Sequence, residues 1–124
     1  WYSIVCEDSD TGNNLNFLTE KVAKCLFAKR IFIMFNSAGL LKNLRKLGFR
    51  TFHGNIINES YDDEPNDQKR FTMAWHEIRK LYHTDARNIY PEFRDVLEHN
   101  HRLIQSWTSD EFNNIKNFLH RSLL

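Results

Sequence analysis

Three adjacent residues, Thr19-Glu20-Lys21, have the types and order that could hold a charged ligand. Thr19 is placed to cap a helix, because its hydroxyl can accept a bond from a free first-turn N–H. A helix start presents unpaired N–H groups and the positive end of the helix dipole, which suit a diphosphate. Lys21 adds a positive charge at that point, and the Glu20 carboxylate can accept bonds from ribose or sugar hydroxyls. A capped helix with an acid in its first turn is also common in proteins of every function. A second set, Asn36, Ser37 and Gly39, follows an apolar run and falls at the lip of any site formed at a strand's carboxyl end. Ser37 followed by Gly39 is too short to be a phosphate-binding fingerprint, and GxGxxG is absent.

Other groups carry weaker chemistry. Glu59, Asp62, Asp63, Glu64 and Asp67 could offer oxygen ligands to a divalent cation, but they lack the spacing of a known metal loop. Acids just before a helix also satisfy its dipole, so no metal site is expected. Ser60-Tyr61 within that loop reads as a recognition element. Of the six histidines, His53, His76, His83, His99, His101 and His120, no pair has a metal spacing with an acid or cysteine. His53 stands at an expected strand end, where a base could act, and otherwise bonds to backbone. His99-Asn100-His101 reads as a solvated helix face. Arg45, Lys46 and Arg50 make a small basic cluster.

These residues need elements to position them. Residues 1–6 (WYSIVC) are aromatic and β-branched and predict a strand. Residues 7–16 are polar, with Thr11-Gly12-Asn13-Asn14 as the turn signal. Val22, Ala23, Cys25 and Leu26 give a helix over 19–28 one apolar side. Lys29-Arg30 ends it. Residues 31–35 (IFIMF) are five apolar residues in a row, which suits a strand covered on both faces. Ser37 can cap a second helix over 37–47, with Leu40, Leu41, Leu44 and Leu47 on one face. Gly48 suits the position after its end, with Phe49 folding back. Residues 49–52 predict a third strand. Pro65 opens a helix over 66–82 whose stripe is Phe71, Ala74, Trp75, Ile78, Leu81 and Tyr82. Pro91 opens one over 91–106, and Thr108 with Glu111 makes a capping box for one over 109–122. Ile33, Leu44, Phe49, Trp75 and Ile78 are expected in one core.

The 124 residues suit one domain, 1–124, with a core of useful size. The start at Trp1 inside a strand leaves open that it is a piece of a longer chain. Hydrophobic residues at 41% and charged residues at 27% are ordinary for a globular protein. A net charge of +1 gives no pull toward nucleic acid or an anionic membrane. No apolar run reaches the length of a membrane span, and no signal peptide is visible, so a cytoplasmic location is expected. Cys6 and Cys25 sit in apolar patterns and read as reduced core thiols.

Two stretches resemble known sequences. Phe17-Leu18-Thr19-Glu20-Lys21, then Leu26, then 31–35, resembles the TEK segment in the nucleotide-sugar-binding half of GT-B glycosyltransferases, the fucosyltransferase-like families nearest. Val5-Cys6-Glu7 is similar to the v-t-E before it. Leu47-Gly48-Phe49-Arg50-Thr51-Phe52, then Glu59-Ser60-Tyr61-Asp62, is similar to an LGFxTF…ESYD pattern in uncharacterised proteins of phages and marine microbes. Lys29-Arg30-Ile31 replaces the small residue and Pro usual before the strand, and Asn58 stands where Asp is common. The resemblance implies a nucleotide-sugar donor bound at Thr19, Glu20, Lys21, Asn36 and Ser37. It implies no cofactor beyond that substrate. It also implies an acceptor-binding half that these residues do not contain, so whether the chain is itself an enzyme stays open. An N-terminal acceptor domain or a second copy would be the partner.

The fold class expected is α/β: a small Rossmann-like domain with a three-stranded parallel sheet and a helical C-terminal half. The function expected is donor binding in a glycosyltransferase-like protein. The alternative is a non-catalytic interaction or structural module derived from that fold.

Overall fold

A computed structural model describes residues 2–6 and 20–107, with backbone alone at Cys6 and Glu20. The expected helix over 109–122 lies outside the described residues. Strand β1 (Tyr2–Cys6) and strand β2 (Ile31–Phe35) pair in parallel, Tyr2 opposite Ile31 through Cys6 opposite Phe35. Helix α1 (Glu20–Phe27) lies between them in sequence, and helix α2 (Leu40–Lys46) follows β2. Ile31, Phe32, Ile33 and Met34 are all buried, so both faces of β2 are covered, as a continuous apolar run requires.

Both helix ends near the strands' amino side are closed by local signals. Lys29 takes a left-handed φ of 54° after α1, and Arg30 N–H donates to the Cys25 carbonyl at 3.0 Å. Gly48 takes φ 99° after α2, Phe49 N–H reaches the Leu44 carbonyl at 3.1 Å and Gly48 N–H the Arg45 carbonyl at 3.0 Å. This is the paired bonding that a left-handed residue past a helix end permits.

Among the described residues the sheet has two strands, not the three expected. Residues 49–52 are not a strand. Phe49 and Phe52 are both buried, and their spacing of three does not fit a strand's alternation of two. The Arg50 main chain spends its bonds on one side chain: Asn100 Oδ1 accepts from Arg50 N–H at 2.8 Å, and Asn100 Nδ2 donates to the Arg50 carbonyl at 2.9 Å. Phe52 is then free to stand edge-on between Phe32 (5.1 Å) and Phe93 (5.4 Å).

Helix α3 (Asp67–Tyr82) starts at Asn66, whose side chain accepts from Lys69 N–H. Helix α4 (Ala86–Ser106) is capped by Asp85, and so begins five residues before Pro91, the expected start. Pro91 sits inside the helix on an exposed face, where the bond it lacks faces away from the core. Helix α3 packs on β2 and α4 on α1. Trp75 was expected in the core but is 54% exposed. The inward face of α3 is Arg70, Ala74, Glu77, Ile78 and Leu81 instead, with Ile33, Leu44, Phe49 and Ile78 buried as expected. Cys25 is a free, buried thiol, and burial pushes its pKa up. The pairing state of Cys6 lies outside the description. No helix among the described residues is long and apolar enough to cross a membrane.

Candidate functional site

The carboxyl ends of β1 and β2 are the place where a parallel sheet presents ligands. α1 begins there, after β1, and α2 begins there, after β2. The expected ligand contacts divide into three groups. Thr19 and the Glu20 side chain lie outside the description. Lys21 is exposed on the first turn of α1. Asn36 and Ser37 leave the end of β2. Asn36 is buried, and its Oδ1 accepts from Ser37 N–H at 2.6 Å. Ser37 is half-buried and lies two residues before the N-cap position of α2, which is Gly39, with φ 90° and no side-chain cap bond of its own.

The cap comes from far along the chain. Asp62 Oδ1 accepts from Leu41 N–H at 3.0 Å and Oδ2 from Lys42 N–H at 3.1 Å, while its carbonyl takes Gly39 N–H at 2.9 Å. Asp62 sits in a short 3-10 turn, Ser60–Asp63, and is buried. The start of α2 therefore already holds an anion, a carboxylate of the protein itself. Asp62→Ala would leave two N–H donors without an acceptor. The expected loss of stability is about 2–4 kcal/mol, one to three per stranded buried group less what water recovers. Urea unfolding would measure it, and a loss under about 0.5 kcal/mol would show that the cap is dispensable.

Tyr61 is buried rather than offered for recognition. Its hydroxyl accepts from Met34 N–H at 3.5 Å. Burial pushes the phenol far above its ordinary range, and the Glu59, Asp62 and Glu77 carboxylates around it add to the shift. Glu59 is buried, with Arg45 Nη2 3.4 Å from Oε1, and its Oε2 has no partner among the described residues. Glu77 Oε1 accepts from Asn58 N–H at 2.7 Å and pairs with Lys80 at 2.6 Å. No group of three or more His, Cys, Asp or Glu among the described residues is arranged to hold a metal. His53 does the quieter of its two expected jobs: its Nδ1 accepts from Glu59 N–H at 2.9 Å.

Arg70 joins the acidic turn to the strand end. It is 2% exposed. Its Nε donates to the Asn36 carbonyl at 2.5 Å and Nη1 to the Glu64 carbonyl at 2.9 Å. Nη2 pairs with the exposed Asp67 carboxylate. Neither Arg70 nor the capping role of Asp62 is visible to periodicity. The one signal was the similarity of Glu59-Ser60-Tyr61-Asp62 to a recurring pattern. The histidine helix face also differs from expectation: Asn100 is buried, and His99 Nε2 (2.8 Å) and His101 Nδ1 (2.9 Å) contact the Gly48 and Phe27 carbonyls.

The chain matches no protein-family model, no curated protein and no solved structure.

Proposed function

We propose that this chain is the nucleotide-sugar (donor) binding domain of a glycosyltransferase-like protein, a Rossmann-like unit whose acceptor half is supplied by another domain or subunit. The observation that carries the reading is the parallel β1-α1-β2 unit with two helices starting at the strands' carboxyl ends. Asp62 already occupies the start of α2. The donor's diphosphate is therefore drawn to the start of α1 and Lys21, with the Ser37 hydroxyl at the opposite lip. Asn36 works from behind, held by Arg70 and holding Ser37. Glu20 takes a ribose or sugar hydroxyl. Transfer in this class needs the leaving diphosphate stabilised, which N–H groups and a lysine can do without a metal.

Calorimetric titration of GDP, UDP and ADP, with and without sugar, tests this. Lys21→Ala is expected to weaken a nucleoside diphosphate by about 1.5–3 kcal/mol, the loss of one charged hydrogen bond. Failure of all of them to bind at millimolar concentration, with any upstream domain present, would overturn it. The second reading, a non-catalytic interaction module, would then stand. It has its own observation: Trp75 and Tyr82 are exposed at i, i+7 on one face of α3, at 54% and 77%. Tyr2 and Trp107, by contrast, are half-buried and add nothing to such a face.

A further inference from the structure

We propose a second anion site, for a small ligand bearing a diphosphate or two phosphate groups, in the cleft between α4 and the segment after α2. The cleft has a volume of about 820 Å³, and Arg50, Arg94 and Arg102 line it with Asp95, Glu98 and His99. That volume lies in the range of small-molecule sites. None of the three guanidinium groups has a salt-bridge partner among the described residues. Lys29 neutralises Glu98 at 2.9 Å, so three guanidinium charges face one carboxylate, Asp95.

The walls are fixed. Arg94, Glu98 and Arg102 follow at spacings of four along α4 and share a helix face. Arg50 comes from the opposite wall, where buried Asn100 clamps its N–H and carbonyl. The Gly48 carbonyl can only accept, so His99 Nε2 carries the proton that bonds it at 2.8 Å. The ring is thus tied to the same wall. Guanidinium forks match phosphate oxygens two at a time, which favours phosphate over a diffuse anion. Asp95 and Glu98 on the same face oppose a long polyanion, so a compact ligand fits better than a nucleic-acid strand. The cleft borders the ends of α1 and α2, at the strands' amino side, away from the donor site proposed above. The inference does not rest on that reading.

The test is titration of the chain with inorganic pyrophosphate, followed by the side-chain Nε–H resonances of its arginines and by calorimetry. Saturable binding is expected, with the Arg50, Arg94 and Arg102 signals shifting and those of Arg79 and Arg87 still. Arg94→Gln with Arg102→Gln should raise the Kd about tenfold or more, while Arg94→Lys with Arg102→Lys, which keeps the charge and loses the forks, raises it less. These side chains are exposed, so the thermal transition should not move. The Kd read from the Arg50, Arg94 and Arg102 signals alone belongs to this cleft, and Arg79→Gln, at a position outside the cleft, should leave it unchanged. No saturation by about 5 mM, an unchanged Kd in the glutamine variant, or tighter binding of a single-stranded oligonucleotide than of pyrophosphate would each overturn the proposal.

Discussion

Arg70→Met is expected to lower the unfolding free energy by about 3–5 kcal/mol, the cost of breaking a buried charged network by removing one partner. Arg70 is 2% exposed and donates to the carbonyls of Asn36 and Glu64. Methionine fills much of the same volume with no donor. The carbonyls then stay buried without a partner, which costs more than the bonds themselves contributed. Arg70→Lys should recover only part of the loss, because an ammonium is a point charge and cannot fork between carbonyls on different segments. Urea unfolding gives the energies. Hydrogen exchange adds the local reading: the Ser37 amide, held by Asn36, should exchange faster in Arg70→Met. A loss under about 1 kcal/mol would show that Arg70 is not the strut between α3 and the strand end.

Ile33→Ala is expected to cost about 2–5 kcal/mol, the price of a cavity in a packed interior. Ile33 is 0% exposed at the middle of β2, and both of its strand neighbours are buried too. Ile4, directly opposite on β1, is 46% exposed. Ile4→Ala should therefore cost less, about 1 kcal/mol, since about half of that side chain stays in water on folding. The contrast makes β2 the centre of the domain. Equal losses at the two positions, or an unfolding midpoint for Ile33→Ala that matches the native chain, would refute it.

Local signals carried the elements that local interactions make. The apolar run at 31–35 specified a doubly covered strand, because no exposed face can absorb five such residues. Gly48 specified the end of α2, because bonds to residues three and five earlier close that end. The body of α3 over 66–82 was legible for the same reason. The helices' other ends were less so. Pro91 is the expected start of α4, but the Asp85 carboxylate caps the helix earlier and the ring lies inside it.

Tertiary structure alone decided the candidate site. The cap of α2 is Asp62, about twenty residues beyond the helix start, where a reader of nearby residues finds only Ser37. The backbone at 49–52 looks like a strand until Asn100, fifty residues on, takes its bonds. Arg70 and Glu77 point inward while Trp75 and Tyr82 point out, against hydrophobicity. Each polar group is buried only because main-chain groups from other segments meet it: the Asn36 and Glu64 carbonyls for Arg70, the Asn58 N–H for Glu77. A side chain's burial cost depends on whether a partner is waiting, and that partner is set by the fold rather than by the residue's neighbours in sequence.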